Sequence, residues 1–391
     1  MLRSLFSAIS GLRSHQTMLD VTGNNIANVN TTAFKASATQ FQDTLSQLTQ
    51  GAGGPGATTG GTNPAQVGLG VQVAGIATNF AQGSSQATGK ASDMLISGDG
   101  FFVTQQGGET VYSRAGAFDF DAAGRLVTPS GAIVQGWGAV DGVVNEGGAV
   151  GDLSLPVNAV IAGDKTTKLT MTGNLPSDAA IGTTLLRDVK VYDAAGAARS
   201  VSLTFTSTGA GGWSVTGVDA GVTSAPTTLA FTDNKLVTGG SLTVNGITVD
   251  MSALTGLAKI STAAVTSQDG SAPGSLESYS FAKDGTLVGL FSNGEQKALG
   301  RISLATFTNP GGLEKTGSNG YRATFNSGTA GLGAPGSTGL GALTGGALEM
   351  SNVDLSQEFT NLIVAQRGFQ ANARIITTSD EVLQELTNLK R

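Results

Sequence analysis

Residues 351–391 read SNVDLSQEFTNLIVAQRGFQANARIITTSDEVLQELTNLKR. Taken at helical spacing, Leu355, Phe359, Leu362, Gln366, Phe369, Ala373, Ile376, Asp380 and Leu383 recur in alternating steps of four and three, with Leu386 just beyond. The pattern predicts a long amphipathic helix with a coiled-coil seam, mostly apolar but broken by Gln366 and Asp380. Ser351 and Asn352 are candidate N-caps, and Asp354 falls in the expected first turn. Gly368 is the only glycine in the run, and no proline interrupts it. A helix of ~40 residues would be about 60 Å long, too long for one compact core. It needs a partner.

The other end of the chain offers one. In residues 1–29, Leu2, Leu5, Phe6, Ile9 and Leu12 mark one face, and Met18, Leu19, Ile26 and Val29 continue it less regularly. A cleavable secretory segment would carry an unbroken apolar core after a basic start. Here Arg3, Arg13 and His15 are interleaved with the apolar positions, so the segment reads as a retained helix. Asn and Thr crowd residues 24–32, which predicts a capped or irregular turn around 28–33. A short second helix is expected over 36–50, with Phe41, Leu45 and Leu48 on one face, inside a connecting segment spanning 36–70. Its later part, GAGGPGATTGGTNPAQ at 51–66, reads as a flexible linker.

From residue 67 the period falls from 3.6 to 2. Runs such as SGDGFFVTQ and VYSRAGAFDFDAAGRLVTPSG predict an antiparallel β-domain over 71–144, with Phe101, Phe102, Val103, Tyr112, Phe118, Leu126 and Val127 as core. Similar strands return at 276–347 and are expected to close the same sheet. Between them, residues 145–275 alternate cleanly, as in Val201-Ser202-Leu203-Thr204-Phe205, and read as an inserted second β-domain. The fold class is therefore mixed but mainly β. Terminal helices (1–35 with 348–391) pair as a coiled coil outside two nested antiparallel β-domains, each sandwich- or barrel-like.

The composition narrows the function. The 391 residues include 58 glycines, and 22 Lys and Arg stand against 28 Asp and Glu, for a net charge of −6. No basic run offers a nucleic-acid surface, and no apolar stretch is long enough to span a membrane as a helix. With no cysteine and one histidine, the chain lacks thiolate chemistry and nearly all imidazole chemistry. Asp119, Asp121 and Gly124 imitate the start of a calcium loop but lack its later ligands, so a β-turn is expected. No catalytic, cofactor-binding or metal-binding residue is assigned. One rival reading is a secreted β-rich adhesin, with Trp137 and Trp213 as sugar platforms.

Three stretches resemble the axial proteins of the bacterial flagellum, the rod, hook and hook-associated family. They are NNIANVNTTAFK at 24–35, SGDGFFV with YSRAGAFDFDAAGRLVTPSG within 95–131, and ALEMSNVDLSQEFTNLIVAQRGFQANARIITTSDEVLQEL near the end. The residues carrying the motif are Asn24, Asn25, Asn28, Asn30, Thr31, Phe34, Lys35, Asn352, Asp354, Gln366, Arg367, Gln370, Asn372 and Arg374. The family pattern has Gly before Phe34 where this chain has Ala33, and often Tyr where it has Phe369.

The resemblance implies a non-enzymatic subunit of a helical homopolymer of ~11 protofilaments, its terminal helices lining a channel. The inserted domain makes the hook type, a curved universal joint, the nearer likeness, with a rigid rod-type shaft as the alternative. It further implies the rod at the base, a junction protein at the tip, a hook cap during assembly, and type III export to the cell exterior without a cleaved signal. No cofactor, nucleic acid or membrane insertion is implied. Leu2, Leu5, Phe6, Ile9, Leu12, Leu355, Phe359, Leu362, Phe369, Ile376, Leu383 and Leu386 are the expected assembly seam.

Overall fold

The computed structural model describes residues 2–156 and 160–388. Helix α1 spans Leu2–Ala27 and helix α2 spans Leu355–Asn388, 34 residues long. The latter length is about 51 Å at 1.5 Å per residue. Among the described residues the remaining elements are strands and one 3-10 turn. The chain divides into two compact units, Met1–Leu155 with Ser280–Val288 and Ala298–Arg391, and Pro156–Tyr279 with Gly289–Lys297.

In the first unit, strand Phe101–Gln106 forms a tight hairpin with Glu109–Ser113 and also pairs antiparallel with Ile133–Val140 and Leu304–Thr306. Gly320–Arg322 pairs with Glu109–Ser113, so chain from the carboxy-terminal half completes a sheet begun near residue 101. One face buries Met94, Ile96, Phe102, Phe118, Leu126, Val134, Ile302 and Leu304. The other buries Phe101, Val103, Tyr112, Phe307 and Tyr321. Burial pushes the Tyr321 phenol up to about 12. Val127, expected in the core, is only half-buried.

Residues 119–126 form the hairpin turn expected of them. Asp121 Oδ1 accepts from the amides of Ala123 (2.9 Å) and Arg125 (2.8 Å), and Oδ2 accepts from Arg125 Nε (2.8 Å). Those bonds, the Arg125 amide first, hold its carboxyl below the usual range, and both oxygens are occupied by the chain itself. Asp193, in a second Asp-Ala-Ala-Gly turn, binds the amides of Ala195 and Ala197 in the same way.

The second unit is a barrel-like sheet running Thr184–Tyr192, Ala198–Gly209, Gly212–Asp219, Thr227–Thr232, Lys235–Thr238, Ile247–Thr255, Lys168–Asn174 and Ala264–Gln268. Its pairings along that path are antiparallel except one, Lys168–Asn174 with Ile247–Thr255. Alternation along Ala198–Gly209 sends Val201, Leu203 and Phe205 inward around Trp213, all fully buried. Trp213 Nε1 donates to Pro176 O at 3.3 Å, and Trp137 is 5% exposed with its Nε1 on Gly148 O. Neither indole presents a sugar platform, because both rings are core.

The helix expected over 36–50 is not formed. Ser37–Asp43 is a strand paired with Val71–Thr78, and Ser46–Gln50 pairs with Ala65–Gly68. Residues 37–78 thus make a long two-stranded arm, and the glycine-rich stretch is its tip, bridged between Gly53 and Thr62. The spacing of Phe41, Leu45 and Leu48 misled because a 15-residue isolated helix is marginal. A non-local strand partner, invisible to local periodicity, outcompetes it.

Candidate assembly site: the helix pair and its junction

The two helices pack antiparallel over nearly all of α1. Asn25 meets Glu358 at one end of the contact, His15 lies over Gly368, and Gly11 faces Asn372. The contact is made by small and polar side chains: Ala8, Gly11, Ser14, Thr22 and Asn25 of α1, and Glu358 and Ala365 of α2, are buried. Small residues let two helix backbones approach closely, as at other tight helix crossings. A Cβ added at Gly368 would stand 2.5 Å from the His15 ring, so the mid-helix glycine is a socket for that imidazole. Gly368→Ala, which would otherwise favour the helix by ~1 kcal/mol, is expected to lower stability by about 1–2 kcal/mol through overpacking. A urea midpoint that rises instead would refute the socket.

The apolar seam read from the sequence is only partly inside this pair. Leu5, Ile9, Leu12, Leu362, Phe369, Ile376 and Leu383 are half-buried. Phe6, Leu355, Phe359 and Leu386 are 64%, 40%, 52% and 48% exposed. The Leu2 side chain lies outside the described residues. Gln366 and Asp380 are exposed, so they flank the contact and do not interrupt it; Glu358, Ala365, Asn372 and Ser379 take the alternate positions instead. Heptad spacing permits either stripe beside Leu362, Phe369 and Ile376, and the close approach at Gly11 and Gly368 selects the smaller one.

Where the helices meet the β-sheet, most motif side chains bond to backbone. Asn25 Nδ2 donates to Ser37 O (2.8 Å) and Glu358 Oε1 (2.9 Å), while its Oδ1 accepts from the Ser37 amide (3.1 Å). Asn352 Oδ1 accepts from the Ala36 amide, and its Nδ2 donates to Asn79 O and Ala81 O. One asparagine thus ties three chain segments together. Asn28 Nδ2 donates to Asn24 O and Asn24 Oδ1, and Thr31 Oγ1 donates to Asn28 Oδ1, closing the turn after α1. The N-cap of α2 is Asp354, whose Oδ1 accepts from Ser356 and Gln357, and not Ser351 or Asn352. Phe34 is buried, with Lys315 Nζ 5.4 Å from its ring centroid. Asn30, Gln366, Arg367, Gln370 and Arg374 are exposed; Asn372 is half-buried against Gly11.

Beneath this lies a charged cluster. Lys35 Nζ donates to Glu349 Oε1 and Ala81 O, both at 2.7 Å, and the two side chains are 0% and 1% exposed. The Gly83 amide donates to the same Oε1, and Arg114 Nη1 stands 3.8 Å from Glu349 Oε2 while both its terminal nitrogens donate to Gly98 O. Burial pushes the Lys35 ammonium down, opposed by the bond to Glu349 and its charge. Glu349, Arg114 and Glu358 carry this junction and were not singled out in the sequence. The signal available was an acid ending the otherwise apolar strand segment Ala347–Glu349. Ala33 has φ +57°, donates its amide to Glu349 O, and marks why glycine suits that position.

Among the described residues no cluster of three or more His, Cys, Asp or Glu is placed to hold a metal, and no helix is long and apolar enough to cross a membrane. The helix pair, its junction and the adjoining sheet match three family descriptions. They are "Flagella basal body rod protein" over residues 5–35, "Flagellar hook protein FlgE/F/G D1 domain" over 95–178, and "Flagellar basal body rod FlgEFG protein C-terminal" over 344–389. The class defined is that of the structural hook and rod subunits of the flagellum. A Borreliella burgdorferi flagellar hook protein FlgE is 40% identical with 100% of both chains covered, and a Salmonella typhimurium one is 37% identical over 99% of this chain and 100% of its own. A Bacillus subtilis flagellar basal-body rod protein FlgG is 36% identical, also over the whole of both chains. The chain belongs to the flagellar hook-protein family.

Proposed function

We propose that this structural subunit polymerises through the apolar side chains its own helix pair leaves uncovered, forming the curved tube that joins motor to filament. The observation that carries this is the set Phe6, Phe359, Ile363, Val364, Ile375, Val382 and Leu386, each 43–64% exposed along two helices. Each such side chain contributes ~1.5–3 kcal/mol when fully buried, and exposed apolar rows of this length mark interfaces. Copies of the same chain are the partner the family implies. Exposed Gln366, Arg367, Gln370 and Arg374 suit hydrogen bonding between copies and a wetted channel. On this reading the subunit performs no catalysis. It is exported to the cell exterior by the type III apparatus without a cleaved signal, is placed under a hook cap, and contacts the rod below and a junction protein above.

Electron microscopy of the purified chain after polymerisation tests the reading directly. Short curved tubes are expected. Straight rods would favour the shaft function that the match to a rod protein keeps in view, and persistent monomers would remove the assembly argument.

The second unit has a core of its own, drawn wholly from residues 169–263. Excision of Pro156–Tyr279 is therefore expected to leave the first unit folded and tubes still forming, but straight. Unchanged supercoiling in the excised polymer would show that curvature is set elsewhere.

A further inference from the structure

Phe325 is 109% exposed, the most exposed large apolar side chain among the described residues. It does not sit on a loose loop. The Thr324 amide donates to Ser327 Oγ, Ser327 Oγ donates to Thr324 O, Thr324 Oγ1 donates to Gly312 O (2.6 Å), and Asn309 Nδ2 donates to Asn326 O (2.9 Å). A turn bonded on both sides thus presents a bare benzyl group to water. A polar side chain would cost less there, and rigid aromatic presentation is the usual form of an interface anchor.

The same unit carries a cavity that suits such an anchor. It has a volume of about 270 Å³ and is walled by Phe80, Phe101, Phe307 and Pro310, with Thr306 and Arg114 also lining it. The Phe101 ring centroid lies 5.6 Å from that of Phe80 and 5.8 Å from that of Phe307, both near edge-to-face. Arg114 stands 5.7 Å over the Phe101 ring, and its Nε is buried without a hydrogen-bond partner. Ring edges and a guanidinium together favour a further aromatic ring over an aliphatic chain, and the carboxylate of Asp99, which also lines the cavity, disfavours an anion.

We propose that Phe325 of one copy seats in this aromatic cavity of another, adding a β-domain contact to the helical ones. The proposal rests on the polymer reading above, because it supplies the second copy. The absence of native cysteine gives a clean test. Phe325→Cys and Thr306→Cys are made on separate chains, copolymerised, and oxidised. A disulfide-linked dimer is expected only from the mixture, and mixing separate chains excludes a bond within one chain. Phe325→Ala is expected to raise the critical concentration for polymerisation at least about tenfold, with Phe325→Trp close to the parent. Tubes that assemble normally but give no mixed dimer, or an unchanged critical concentration for Phe325→Ala, would overturn the contact and leave the hook reading intact. A parent chain that never polymerises would overturn both.

Discussion

Removal of residues 376–391 is expected to abolish polymerisation while both β units remain folded. The three buried clusters of those units contain no residue beyond Leu343, so their cores do not depend on the end of α2. The deleted segment carries Ile376 and Leu383, half-buried in the chain, and Val382 and Leu386, which are 45% and 48% exposed. At ~1.5–3 kcal/mol for each large apolar side chain taken from full exposure to full burial, the roughly half of each that the chain leaves uncovered amounts to about 3–6 kcal/mol for the four in an assembled tube. A loss of that size raises the critical concentration by about two to four powers of ten. Sedimentation should find only monomer, with near-ultraviolet circular dichroism of Trp137 and Trp213 unchanged. Normal tubes from the shortened chain would remove the end of helix α2 from the assembly mechanism.

Glu349→Ala is expected to cost about 3–5 kcal/mol, the usual penalty for stranding a buried charge. Lys35 would keep only the Ala81 carbonyl, and the Gly83 amide would lose its acceptor. The pair as a whole need not be worth that much, since desolvation offsets most of the attraction between the two charges. Hence K35M/E349L should recover at least half of the loss seen for E349A, in a urea-denaturation cycle with both single variants. If the double variant is as unstable as the worse single one, the cluster holds the junction by geometry and not by charge compensation. Either way the helices leave the sheet at this point. Lys35 lies eight residues after the end of α1, and Glu349 six before the start of α2.

Much of the helical part was legible because both ends carry their signals locally: seven-residue spacing, a proline-free run, and a dense Asn/Thr stretch where α1 stops. The alternation through Val201, Leu203 and Phe205 was equally local, since a strand buried on one face writes its period into adjacent positions. The arm at 37–78 was not legible. Its strands pair across more than 20 intervening residues at their outer ends, and Phe41, Leu45 and Leu48 satisfy a helical pattern by coincidence.

The site divides in the same way. Asn25, Lys35 and Asn352 stood out as motif residues, yet nothing local says that each reaches a segment distant in the chain. By itself the sequence determined the two helices, the β character of the rest, and a chemistry too poor in thiols and imidazoles for the commonest active sites. Those properties follow from periodicity and residue type, which are written one position at a time. Only the tertiary structure decided which helical stripe turns inward, that Glu349 neutralises Lys35, and that Phe325 stands bare beside a sheet with an aromatic cavity. Each depends on segments far apart in sequence, where close packing and the cost of burying charge select one arrangement among several that local patterns allow.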